Sequence, residues 1–215
     1  MFAGRRTALR LNFPLSILAS RRQEQGELWL ALLFRRKKAS RLKTKATLEH
    51  YERNLGVIPN FFSLIARSPD VLNAEANMQA VLGKSLGHDT RERLHIMTAE
   101  VNGCNYCLSV HSYVGGKFNH LSKEEMELNR QGHSTDPKAD AALQFGYKVA
   151  KSRGHVTDAD FEAVRAAGFT DEQIIDIVAE TAFGFTTNLF NNTFKTDIDS
   201  IVPQLRTHYS ETEAE

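Results

Sequence analysis

From about Thr47 onward the apolar positions recur at three- and four-residue intervals, with no sustained alternation, so the chain reads as helical throughout and offers no strand. Ser68-Pro69 sets a cap before a proline at the first helical position and opens a helix whose Val71, Leu72, Met78, Val81 and Leu82 are expected to face inward. Gly83 and Gly87 are expected to close it. Asp89, with Glu92 three residues later, resembles a capped helix start, and Arg91 to Val101 continues that helix until Asn102-Gly103, a pair that favours a turn. Ser122 with Glu125 and Thr170 with Gln173 have capping-box spacing, while Asp136-Pro137 opens the stretch carrying Leu143, Phe145 and Val149. The last long apolar segment runs from Ile174 to Phe194 and carries Phe183, Phe185, Phe190 and Phe194, a content suited to core or subunit-interface packing. The fold class expected is all-α.

Charge divides the chain. Residues 1–48 hold twelve Lys or Arg against Glu24 and Glu27, leaving 15 basic and 24 acidic residues for 49–215, a net of −9. An acidic body has no broad basic face with which to neutralise phosphates, so nucleic acid is not an expected partner. Residues 1–45 have the composition of a basic extension, whether a presequence, an over-long start or a disordered arm, and 209–215 form an acidic tail. The domain proper is expected over 46–208, in the cytoplasm, or in an organelle if the extension is a presequence. The longest apolar run, Leu28 to Phe34, ends at Arg35-Arg36-Lys37-Lys38 and falls well short of the roughly 20 residues a membrane span needs.

The two cysteines lie within four residues of each other, which is no disulfide framework and fits a reducing compartment. A helix is expected to start at Cys104. Cys104 and Cys107 are then at i, i+3, and Cys107 and His111 at i, i+4, with Cβ atoms about 5 to 6 Å apart on one face. Cys104 and His111 are about 10 Å apart along the axis. A thiol needs activation near neutral pH: the helix N-terminus favours Cys104 and the imidazole favours Cys107, the imidazole weighing more because it also supplies a proton path. If the chain reverses at Asn102-Gly103, Glu92 comes level with His111, giving the order Glu92, His111, Cys107 for a proton relay. On its own Glu92 reads more simply as a capping residue. Cys-x2-Cys-x3-His also suits zinc, although a structural site takes four ligands and no further cysteine exists. His95, His120, His133, His155 and His208 read as surface or ordinary packed residues, His50 and His88 lie near expected helix boundaries, and Tyr113 and Lys117 read as packing and surface residues.

The run from Arg91-Glu92-Arg93 through Asn102-Gly103-Cys104-Asn105-Tyr106-Cys107 to His111 resembles the signature of the alkylhydroperoxidase D-like group of the carboxymuconolactone decarboxylase superfamily. The Glu-x11-Cys-x2-Cys-x3-His spacing is reproduced without gaps, and Leu55 to Phe62 resembles the opening of the peroxidase-related branch, so the likeness covers roughly residues 47–205. The resemblance implies an all-helical bundle assembled as a trimer or hexamer, reducing hydroperoxides with electrons returned by a thiol donor such as a lipoyl protein, and no cofactor. By motif position Cys107 is the peroxidatic cysteine, Cys104 its resolving partner, and Glu92 with His111 the proton relay. Tyr106 departs from the histidine that the best-known members carry between the cysteines, which bears on how the relay is tuned. The contrasting reading is a non-enzymatic redox sensor or zinc-stabilised binding module using the same Cys104, Cys107 and His111.

Overall fold

In a computed structural model the chain divides into residues 1–39 and 40–215, of which residues 40–208 are described here apart from Gly83. Most of the expected basic extension, the run Leu28 to Phe34, Gly83 and the acidic tail therefore lie outside the described residues. Nine α-helices and no strand occur among the described residues: α1 Ser40–Leu55, α2 Asn60–Ile65, α3 Pro69–Leu82, α4 His88–Val101, α5 Asn105–Phe118, α6 Lys123–Arg130, α7 Pro137–Ser152, α8 Asp158–Ala166 and α9 Asp171–Phe194. The first helix starts ahead of the boundary expected near 45, and its Thr44 is already buried.

Local chemistry sets most of the starts. Asp136 accepts the backbone N–H groups of Lys138 and Ala139 ahead of Pro137, and Thr170 with Gln173 forms a reciprocal capping box. Ser122 accepts from the Glu125 N–H, but the Glu125 carboxylate does not reach back. It turns inward to Arg93, Ser134 and Thr135, so only half of the expected box is made. The start of α4 also differs from expectation. Its N-cap is Gly87, with no side-chain cap, and Asp89 sits in the first turn, where a carboxylate favours the helix N-terminus, and accepts from Asn119. In α3, Leu72 is buried but Met78 and Val81 are 42% and 65% exposed. The helix is rotated so that Leu72, Glu75 and Gln79 form its inner face, with Gln79 accepting from the Tyr51 hydroxyl on α1.

Helix α4 is central. Leu94 to Ala99 are buried without interruption, a pattern that requires cover on every face, and α5, α6, α7 and α9 supply it. Ile96 and Ala99 join a cluster with Phe61, Phe62, Leu72, Leu108 and both cysteines, whereas Leu94 and Met97 join a second with Leu143, Phe145, Val164 and Ile177. The cysteine pair thus sits in packed core. Helix α9 reaches α4 closely at Gly184, where an added Cβ would stand 2.5 Å from Thr98 Oγ1 and 3.3 Å from His95 Nδ1. Thr98 cannot simply swing away, because its hydroxyl donates to the carbonyls of Leu94 and His95. Gly184→Ala gains up to about 1 kcal/mol of helix propensity but forces overpacking worth about 1 to 3 kcal/mol. The expected result is a Tm lowered by a few degrees in calorimetry. Gly116→Ala, whose nearest neighbour would be Met126 Cε at 3.6 Å, serves as the control and leaves Tm unchanged or raised.

Candidate active site at the start of helix α5

The turn between α4 and α5 places the site. Gly103 adopts a φ of 62°, a left-handed conformation that a glycine takes without steric cost, and the Cys104 N–H returns to the Ala99 carbonyl at 2.9 Å. Two asparagines of α9 hold the turn from outside: Asn188 accepts from the Asn102 amide at 2.8 Å, and Asn192 donates to the Asn102 carbonyl at 2.9 Å. The N-cap of α5 is Cys104 itself, one residue before the expected helix start is realised at Asn105, and its sulfur accepts from the Cys107 N–H at 3.2 Å. Cys104 and Cys107 are joined as a disulfide with Cα atoms 5.4 Å apart, and they are 0% and 3% exposed.

Reversal of the chain brings Glu92 level with His111, as the helical rise requires. His111 Nδ1 lies 2.8 Å from Glu92 Oε2. Burial pushes the Glu92 carboxyl up, but the charge and hydrogen bond of His111, with His95 and Arg91 behind them, outweigh it and hold the group below its ordinary value. An ionised Glu92 accepts, so Nδ1 of His111 carries the proton and Nε2 is left for chemistry. The Glu92 carboxylate is therefore turned to His111 rather than to a helix end, as its reading as a cap required. His111 lies one turn beyond Cys107 on α5.

Three neighbours were not anticipated as functional. Asn191 of α9 donates through Nδ2 to Cys107 Sγ at 3.4 Å and to the Thr187 carbonyl at 3.0 Å, the second bond fixing which end of the amide faces the sulfur. His95, read from sequence as surface or ordinary packing, is 2% exposed and its ring stacks on that of His111, with centroids 4.5 Å apart and planes inclined by 15°. Glu180, wholly buried, approaches His95 Nε2 at 3.2 Å and Arg91 Nε at 3.5 Å. Burial, then the charge of His111, holds the His95 imidazole below its ordinary value against the pull of Glu180 and Glu92.

Tyr106 is a strut between α5 and the elements around it. Its buried hydroxyl donates to Asp199 Oδ2 at 2.8 Å and accepts from the Phe61 N–H at 3.2 Å, and burial first, with Asp199, pushes its ionisation well above the ordinary value. The irregular segment after α9 is tied along α5 by Leu205 N–H to Ser109 Oγ and Thr207 N–H to Asn105 Oδ1, both at 2.8 Å. Lys117 donates to the Tyr113 hydroxyl at the surface, His50 lies within α1, and His88 is exposed at the first position of α4. Glu100 pairs with Arg130 at 2.8 Å. Among the described residues no group of three or more His, Cys, Asp or Glu side chains is arranged to hold a metal ion, and no helix is long and apolar enough to cross a membrane.

Fold and site together define an all-helical protein with a Cys-x2-Cys disulfide at a helix N-terminus and a carboxylate–imidazole pair on the adjoining turn. No family model and no curated protein matches the chain. Solved structures do. A peroxidase-related protein from Ralstonia eutropha JMP134, described as an alkylhydroperoxidase D core, is 30% identical with a TM-score of 0.67, over 73% of this chain and 85% of that one. A peroxidase-related protein from Silicibacter sp. TM1040 gives a TM-score of 0.68 at 24% identity, over 74% and 85%. A debrominase solved in complex with 2,3,4-tribromopyrrole shares the fold, with a TM-score of 0.64 at 19% identity, over 77% and 90%. The chain belongs to the alkylhydroperoxidase D-like group of the carboxymuconolactone decarboxylase superfamily.

Proposed function

We propose that the protein reduces organic hydroperoxides at Cys107, with Cys104 as resolving thiol and an external dithiol as electron donor. The observation that carries this reading is the Glu92–His111 hydrogen bond one turn from a buried, disulfide-forming cysteine pair. In the reduced protein His111 takes the Cys107 proton, and the thiolate attacks one peroxide oxygen. The S–O bond forms as the O–O bond breaks, and the departing alkoxide takes its proton from His111. Cys104 then attacks the Cys107 sulfenic acid, forming the S–S bond as the S–O bond breaks, and water leaves with the Cys104 proton. Two electrons from the external dithiol restore the pair by exchange. Asn191 Nδ2 supplies a donor that stabilises negative charge on the Cys107 sulfur. Intact mass after stoichiometric peroxide tests this: loss of two hydrogen atoms, reversed by a dithiol and repeated over many turnovers, is expected. A single oxidation without turnover in the presence of any dithiol, including a lipoyl protein, leaves a redox sensor instead.

The assembly we propose is a homo-oligomer seated on α9. Along its outer side Ile175, Val178, Ala182, Phe185 and Leu189 follow at intervals of three and four, the spacing of a helix seam, and Ile175 and Leu189 are 68% and 65% exposed. A second copy presenting the same stripe buries both, since a two-fold contact is self-complementary. Val178→Glu with Leu189→Glu in the full chain puts charges on that seam without touching the core. Sedimentation is expected to shift to a smaller species with the melting of the protomer retained, and an unchanged species at micromolar concentration removes α9 from the interface.

A further inference from the structure

Beside the relay lies a second carboxylate–imidazole pair that the reaction sequence above leaves unused. Glu180 is wholly buried in the middle of α9, and neither carboxylate oxygen has a close hydrogen bond. It stands only within longer range of His95 Nε2, at 3.2 Å, and Arg91 Nε, at 3.5 Å. A buried carboxylate kept with two such partners is costly unless its position matters, and replacing such groups by apolar ones is often neutral or stabilising. The His95 ring also fixes its own proton. Nε2 faces both Glu180 Oε2 and Arg91 Nε, the latter at 3.4 Å, and it cannot donate to one while accepting from the other. Nδ1 faces the close approach of Gly184 and has no hydrogen-bond partner. A proton on Nδ1 would be a buried donor without an acceptor, so the proton is assigned to Nε2, the nitrogen nearer Glu180, and Arg91 Nε then does not donate to it. The ring then has Glu180 beside one edge and the close approach of Gly184 at the other, and it lies flat against His111.

We propose that His95, set beside Glu180, is a positioning residue that fixes the plane of His111, so that Nδ1 stays on Glu92 and Nε2 stays free for the thiol. This rests on the reading of His111 as the base for Cys107. The charged and titratable groups around the two rings are Arg91 and Glu92 on α4, His111 on α5, Glu180 on α9, and, behind Arg91, Glu75 on α3 and Tyr51 on α1. Two stacked imidazolium rings repel, so the arrangement also admits one positive ring and not two. Stacking offers no hydrogen bond between the rings, so His95 acts on His111 through its face and its field, not as a proton carrier.

The test is the pH profile of iodoacetamide alkylation at Cys107 in the reduced full chain, which reads the thiolate whether or not the protein reduces peroxide. His95→Leu with Glu180→Leu removes plate and anchor together and leaves no orphaned carboxylate. His95→Phe with Glu180→Leu keeps a flat face. The first is expected to slow alkylation near neutral pH on the order of 10- to 100-fold, the loss typical of a misplaced catalytic group, and the second to recover most of it. Equal profiles in both variants and the parent overturn the proposal. Should the double variants fail to fold, nitrogen NMR of the imidazole rings in the unaltered protein and in Glu180→Gln decides. A single His95 tautomer protonated on Nε2, and a His111 titration that moves in Glu180→Gln, support it. A His95 proton on Nδ1, or a His111 titration indifferent to Glu180, overturns it. Normal alkylation with no peroxide consumption refutes the peroxidase reading and leaves the positioning role standing.

Discussion

Cys107→Ser is expected to abolish peroxide consumption altogether, while Cys104→Ser consumes one equivalent and stops at an oxidised Cys107 that no intramolecular partner resolves. The asymmetry comes from the surroundings of the two sulfurs. Cys107 lies one turn from His111 and accepts from the Asn191 amide, the two neighbours that the proposed reaction uses as base and charge-stabilising donor. Cys104 stands about two helical turns before His111, and its sulfur accepts from the Cys107 N–H at the helix start. The check is stoichiometric: peroxide consumed per chain, together with trapping of the sulfenic acid by a dimedone-type reagent and peptide mass mapping. Label found on Cys104 in the Cys107→Ser protein reverses the roles.

His111→Ala is expected to lower peroxidase turnover by about 10²- to 10⁴-fold, the range general-base assistance supplies, and to slow alkylation of Cys107 toward that of an unassisted thiol. Glu92→Gln keeps the size of the side chain but removes the charge behind the imidazole, so the apparent pKa of the thiol should rise with turnover falling less. The same substitution carries a stability signature. The Glu92 carboxyl is held below its ordinary value in the folded protein, so its contribution to stability is present above the usual carboxylate range and is lost as pH falls through the folded value. Denaturation curves of parent and Glu92→Gln should therefore differ at neutral pH and converge in acid. Alkylation profiles unchanged in both variants would sink the relay, whatever the melting shows.

What could be read before the structure was the part governed by helix arithmetic. A rise fixed per residue turns the interval from Glu92 to Asn102 and from Gly103 to His111 into matching heights, and the hydrogen bond at 2.8 Å follows from that register. Helix starts at Asp136-Pro137 and Thr170 were legible for a similar reason, since capping is local chemistry. The start of α4 was misassigned because Asp89 and Glu92 have cap spacing, yet Gly87 breaks the chain two residues earlier and each carboxylate is taken by a partner on another element. Met78 and Val81 have helical spacing too, but periodicity defines a face without saying which neighbour it meets, and Tyr51 draws Gln79 inward instead.

His95, Glu180 and Asn191 lay beyond such arithmetic because their partners are far away in the chain and are set by the crossing of α4, α5 and α9. A signal was present nonetheless. His95 stands within the run Leu94 to Ala99, and Glu180 stands within the apolar stretch from Ile174 to Phe185. A polar group enclosed by apolar neighbours on a buried helix must find another such group. Pairing enclosed polar residues with one another, rather than assigning each to the surface, would have brought these two together.

Cys104 serves as both redox atom and helix cap, which couples the backbone of α5 to the electron count of the pair. As a disulfide sulfur it is a weak acceptor for the Cys107 N–H, whereas as a thiolate it is a strong one that also meets the positive end of the helix. Where Cys104 is ionised in the reduced pair, the first turn of α5 is therefore held more tightly than in the disulfide. Slower exchange of the Cys107 amide hydrogen on reduction would give a spectroscopic gauge of redox state that needs neither label nor substrate. By the same coupling, whatever steadies a thiolate at Cys104 raises the potential at which the disulfide accepts electrons.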